Sequence, residues 1–121
     1  MAPAQRFLAV LAALMGACGV ALAAAATPVD GGDLGRTAAL FLILHAAALI
    51  AVCAHRDGPW PTVAGLFLAA GAILFSADLS ARAFHGARLF PYAAPIGGSL
   101  MILAWLALAV AFGLARRASA P

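Results

Sequence analysis

Thr62-Val63-Ala64-Gly65-Leu66-Phe67-Leu68-Ala69-Ala70-Gly71-Ala72-Ile73-Leu74-Phe75-Ser76-Ala77-Asp78-Leu79-Ser80-Ala81-Arg82-Ala83-Phe84 carries no charge until Asp78. At ~1.5 Å of rise per residue, a helix of this length crosses a hydrocarbon core of about 30 Å. Buried strands and core helices of soluble domains rarely run so far without a charge. The stretch therefore predicts a transmembrane helix.

Three further runs have the same character, so the expected spans are about 6–26, 36–54, 62–84 and 96–115. All the prolines (Pro3, Pro28, Pro59, Pro61, Pro91, Pro95, Pro121) lie outside these runs or at their edges. Inside a helix, proline removes a backbone hydrogen bond that lipid cannot replace. Pro95 stands where a first-turn proline would open the fourth helix. The links are short: 27–33, 55–61 and 85–95. Short links make neighbouring helices antiparallel. The expected fold is all-α, a four-helix transmembrane up-down bundle forming a single domain over residues 1–121.

Composition agrees. Of 121 residues, 66% are hydrophobic and 9% charged, and the mean hydropathy is +1.08. A soluble domain this small cannot hide so much apolar surface. The net charge of +3 does not point to nucleic acid, because Lys is absent and the seven Arg are scattered near span ends. Arg6, Arg56, Arg116 and Arg117 would share one membrane side, and Arg36, Arg82 and Arg88 the other, with Asp30 and Asp33. That margin favours cytoplasmic termini and, in a bacterium, a multi-pass inner-membrane protein. Trp60 and Tyr92 fall at opposite interfaces, where aromatic belts sit. Cys18 and Cys53 lie in apolar runs and read as packing residues. The first run also resembles a cleavable secretory signal, with Arg6, an apolar core and 21–26 rich in alanine, and Leu14-Met15-Gly16-Ala17-Cys18 brushes a lipobox. Retention of the span is the expectation.

Asp78 is the most informative side chain, because a carboxylate within a span costs about 2.5–3.5 kcal/mol at mid-membrane and less near the interface. Arg82 and His85 follow at i+4 and i+7 on the same helical face. The plain reading is an ion pair near the headgroups with Arg82 snorkelling outward; the functional alternative is a proton or cation site with His85 as its titrating partner. His45 lies near the middle of the second run and should face the bundle, in an interhelical hydrogen bond or as a relay or ligand. Trp105 needs a partner for its indole N–H. His55 sits in a polar link and carries no special role. Gly16, Gly19, Gly65, Gly71, Gly97 and Gly98 are the expected helix-packing positions. Gly97-Gly98 also suggests tight packing or an anion-binding N–H group at the fourth helix's entrance. No catalytic set, metal-ligand spacing or nucleotide-binding motif occurs, so no cofactor is expected and an enzyme is the least supported class.

His45-Ala46-Ala47-Ala48-Leu49, Ala64-Gly65-Leu66-Phe67, Leu74-Phe75-Ser76, Ala94-Pro95-Ile96-Gly97-Gly98 and Ala104-Trp105 occur in the order seen in the YgdD-like family. The chain resembles that family of small four-helix membrane proteins, mostly of unknown function, from about Arg36 onward. The resemblance implies the same fold and no established reaction. Gly16-Ala17-Cys18-Gly19-Val20-Ala21 keeps the family's glycines in the first span and lacks its histidine. Phe41-Leu42 replaces an aromatic-Gln pair, and Asp78 replaces a small or polar residue.

Three functional readings follow. The first is a non-enzymatic accessory or assembly module that packs with other membrane proteins or with itself in the lipid bilayer. The second is a small proton-coupled transporter using Asp78 and His45. The third is a haem- or quinone-binding module near His45 and Trp105.

Overall fold

Lipid offers no partner to a backbone N–H or C=O, so spans of this kind satisfy these groups within helices. The computed structural model describes residues 1–26, 33–56 and 58–119, from 115 onward by backbone alone. Its helices are α1 (Pro3–Ala26), α2 (Asp33–Cys53), α3 (Trp60–His85) and α4 (Ala93–Ser119), with no strand among the described residues. All four are long and apolar enough to cross a membrane. The chain is an all-helical, multi-pass membrane protein. The first link at 27–32, Asp30, Asp57 and the side chains of Arg116 and Arg117 lie outside the described residues, as does the charge balance built on them.

Local chemistry sets the helix ends. Pro61 lies in the first turn of α3, where its missing N–H is not needed. Gly86 closes α3 at φ +70°, its N–H donating to the Arg82 carbonyl at 3.1 Å. Glycine takes this left-handed position without the penalty a Cβ would bring. α4 starts immediately after Tyr92, whose carbonyl accepts the Ile96 N–H at 2.9 Å. Pro95 thus falls inside the first turn, and Gly97 and Gly98 lie a turn past the entrance where an anion-binding N–H group was expected. Helical N–H groups that deep belong to the backbone ladder.

Neighbouring helices run antiparallel: Gly16 faces Ala46, Gly65 faces Val52 and Leu49, and Gly71 faces Met101. α3 is central, packing against α2 and α4 and, through Gly65 against Leu8, against α1. Among the described residues α1 and α4 make no backbone contact, so the bundle is open on one side. The core is built from small and aliphatic side chains, among them Leu8, Ala12, Leu49, Ala64, Leu68, Ala72, Ala104 and Leu108. In lipid the hydrophobic effect does not press helices together, so close packing must supply the attraction.

The glycines divide by what they touch. A Cβ on Gly19 would lie 2.7 Å from Ile43 Cγ1, and one on Gly65 would lie 2.7 Å from Leu8 Cδ2. At the α3–α4 crossing the obstacles are backbone. A Cβ on Gly71 would lie 2.9 Å from the Gly97 oxygen, and one on Gly97 would lie 2.7 Å from the Phe75 nitrogen. Gly16 is in ordinary contact, with Ala46 Cβ at 3.6 Å. Gly98 has nothing nearer than Phe75 Cδ2 at 4.0 Å and does not belong to the tight crossing.

Candidate functional site

Two polar centres lie within the bundle. At the first, His45 on α2 is buried, with Nδ1 2.7 Å from the Phe41 carbonyl one turn earlier. A carbonyl only accepts, so Nδ1 carries the proton and Nε2 is left with a lone pair. Trp105 Nε1–H on α4 donates to that Nε2 at 3.2 Å. The imidazole of this neutral tautomer is therefore satisfied at both nitrogens. Phe41 stacks on the ring at 5.7 Å between centroids, with interplanar angle 17°. Trp105 is 46% exposed, its indole body outward and its N–H inward. Through this bond α4 reaches α2, and Phe112 meets His55, just past the end of α2, edge-on at 4.8 Å, although among the described residues the backbones of α2 and α4 do not pack. A haem iron or any other ligand at His45 would have to displace Trp105.

The second centre is at the far end of α3. Asp78 is 1% exposed, and its Oδ1 accepts the backbone N–H of Leu89 at 2.9 Å. Its Oδ2 faces Arg82 Nη2 at 3.2 Å, an ion pair one turn along the helix. The carboxylate thus ties the segment after α3 back to the helix at Leu89. The guanidinium and the amide N–H offset the burial of this carboxylate near the helix end, although Oδ2 meets Arg82 by charge alone and accepts no hydrogen bond. His85 is exposed at the helix end and takes no part in the pair. The structure brings Asp78 and Arg82 together and leaves His85 aside.

The centres are separate. Ser76 Oγ donates to the Ala38 carbonyl at 3.1 Å, which sets the register of α3 on α2. By that register Asp78 lies near the level of Arg36, and His45 is nine residues further along α2, about 13 Å in axial rise. A cavity of about 510 Å³ lies between α3 and α4 beside Asp78, lined also by Phe75, Arg82, Arg88, Gly98, Ser99 and Ile102 among others. His45 is not part of it. Among the described residues, no three His, Cys, Asp or Glu side chains gather as a metal site.

Sequence reasoning passed over Gln5. Its Nε2 donates to the carbonyls of Cys53 and, at 3.1 Å, His55. α1 thereby caps the orphan carbonyls at the end of α2, a service usually rendered by a residue beside the helix end. The available signal was that Gln5 is the only side-chain carboxamide in the chain. Ser76 was also missed as a link between helices, because serine in a helix most often bonds its own previous turn, as Ser80 does to the Ser76 carbonyl at 2.7 Å.

Residues 15–98 match the model of a family described as "Protein of unknown function (DUF423)". The "UPF0382 membrane protein" of Haemophilus influenzae is 32% identical over 71 residues, covering 57% of each chain. The "UPF0382 inner membrane protein YgdD" of Escherichia coli K12 is 29% identical over 116 residues, covering 88% of each. A Shigella flexneri protein of the same name matches to the same extent. No solved structure matches the chain.

Proposed function

Because this chain belongs to the DUF423 family of proteins of unknown function, we propose that it is a non-catalytic accessory module that packs, within the bilayer, against helices of other membrane proteins. The observation that carries this reading is the outer face of α1. Ala13, Ala17, Ala21 and Ala25 recur every fourth residue and are all exposed. They form one stripe along the helix. α4, the other terminal helix, does not cover them. A stripe of small residues lets a second helix approach closely, which is the main source of attraction between helices in lipid. The inner glycines Gly16 and Gly19 are already used against α2, so the outer stripe is a separate surface.

The polar chemistry supports the same reading. His45, Ser76 and Ser80 make hydrogen bonds inside the bundle, and Asp78 is held by Arg82 and Leu89. Neither the family description nor the relatives' names state a reaction.

A photo-reactive amino acid placed at Ala17, and separately at Val110 on the exposed face of α4, tests the proposal in native membranes. Protein adducts at position 17 and lipid adducts at 110 are expected. Adducts with copies of the same chain alone would replace accessory packing by self-association. Lipid adducts alone at both positions would end the proposal.

A further inference from the structure

We infer that the cavity between α3 and α4 beside Asp78 binds the anionic phosphate head of an acylated membrane lipid. This site is distinct from the α1 stripe, and its test reads a different quantity. A volume of about 510 Å³ is within the range of ligand pockets. Its lining has two characters. Arg82, Arg88, Asp78 and Ser99 supply the polar part, while Phe75, Ala93, Ala94, Pro95, Gly98 and Ile102 supply an apolar wall on the lipid-spanning helices. A molecule with a charged head and a hydrocarbon tail matches both.

The charge favours an anion. Two guanidiniums against one carboxylate leave one net positive charge in the lining. Asp78 is 1% exposed, with Oδ1 bonded by the Leu89 N–H and Oδ2 facing Arg82 as an ion pair without a hydrogen bond, so its charge is set against Arg82 and Arg88 carries the excess. Arg82 is only partly buried, its side chain 29% exposed, so the guanidinium that pairs with Asp78 also borders the cavity. A guanidinium has donors enough to hold a carboxylate and still meet a phosphate oxygen. Arg88 is exposed beside it, and Ser99 Oγ is available from α4.

The depth is right for a headgroup. Leu89, Phe90 and Tyr92 are exposed in the segment joining α3 to α4, and such apolar and aromatic residues lie at the membrane–water boundary. Arg82 and Arg88 are then level with lipid phosphates, where basic side chains attract anionic lipid. Gly98 borders the groove without a side chain of its own, and a Cβ there would reach Phe75 Cδ2 at 4.0 Å, so a larger side chain at this position would occupy the groove.

The test is lipid retention by the full chain, reconstituted in equimolar phosphatidylglycerol and phosphatidylcholine, extracted in mild detergent and weighed by native mass spectrometry. Wild type should retain phosphatidylglycerol about fivefold over phosphatidylcholine, a factor expected of one basic side chain near an anionic leaflet. Arg88→Gln should abolish the preference by losing the charge, and Gly98→Leu should abolish it by filling the groove. Arg36→Gln removes an exposed Arg expected on the same membrane side and should leave the preference intact. Equal retention of the two lipids by wild type would overturn the inference. So would a loss in Arg36→Gln as large as that in Arg88→Gln, which would mean generic surface charge. Retention by Gly98→Leu with an unchanged unfolding midpoint would overturn it as well. Inorganic phosphate added to the delipidated protein separates the remaining source: saturation by phosphate alone, at concentrations where phosphatidylglycerol also saturates, would show that the acyl groove plays no part.

Discussion

An alanine at position 97 has nowhere to put its methyl group. Its Cβ would come within 2.7 Å of the Phe75 nitrogen, 2.9 Å of the Gly71 oxygen and 3.1 Å of Phe75 Cα. All three atoms are backbone, so no rotamer change gives relief. Ordinary contact begins near 3.4 Å, and 3.4 less 2.7 means that α4 must retreat by about 0.7 Å along this contact. Overpacking costs about 1–3 kcal/mol, and an obstacle of rigid backbone belongs at the upper end. Alanine returns up to about 1 kcal/mol through its better helix propensity. A net loss of about 2 kcal/mol is expected for Gly97→Ala, roughly a thirtyfold shift in the unfolding equilibrium. The neighbouring substitution is the control. At Gly98 the nearest atom is 4.0 Å away, so Gly98→Ala keeps the propensity gain without the clash and should be neutral or slightly stabilising. Gly113→Ala, with nothing within 4 Å, should behave likewise. Unfolding is read by circular dichroism as dodecyl sulfate is titrated into dodecyl maltoside micelles. If Gly97→Ala and Gly98→Ala unfold at the same point, the backbone crossing does not hold α4 in place.

Other expectations concern single contacts. In a double-mutant cycle of His45→Leu and Trp105→Phe, the coupling energy should be about 0.6 kcal/mol and no more than about 1.7, the range for hydrogen bonds between membrane helices; additive effects would deny the bond. Asp78→Leu should leave Arg82 and the Leu89 N–H unmatched at about 1–3 kcal/mol and speed exchange of the Leu89 amide, whereas Asp78→Asn keeps an acceptor and should protect that amide better. Tyr92 has φ +68°, a left-handed conformation that costs a side-chain-bearing residue roughly 1–2 kcal/mol. Tyr92→Gly should therefore raise stability by up to about 1 kcal/mol, and a fall in the unfolding midpoint would show that the ring's interfacial contacts outweigh the strain. Gln5→Leu should fray the end of α2, seen as faster amide exchange at Ala54 and His55, with α1 itself unaffected.

Much of this molecule was legible before any coordinates. Span length, the exclusion of proline from the runs and short links suffice for four antiparallel helices, since lipid permits few other answers. A charge inside a span demands a partner, so Asp78 with Arg82 could be read from their i, i+4 spacing alone. Helical spacing places His85 on the same face, but the helix ends there and the side chain is exposed. Periodicity describes a regular helix and says nothing of where the chain turns back.

Contacts between helices were of another kind. That His45 meets Trp105 depends on the register of α2, α3 and α4, and no local rule relates residues so far apart in sequence. The same register separates Gly97, against backbone, from Gly98, beside a cavity, although the two are adjacent and chemically identical. The return of Leu89 to Asp78 and the reach of Gln5 to the end of α2 likewise exist only once the helices are docked. Hydrophobic length and polar interruption are properties of the chain, and sequence alone determined the span architecture through them. Register and close approach depend on shape complementarity between faces, so the tertiary structure alone decided which polar groups are closed off and where an open cavity remains.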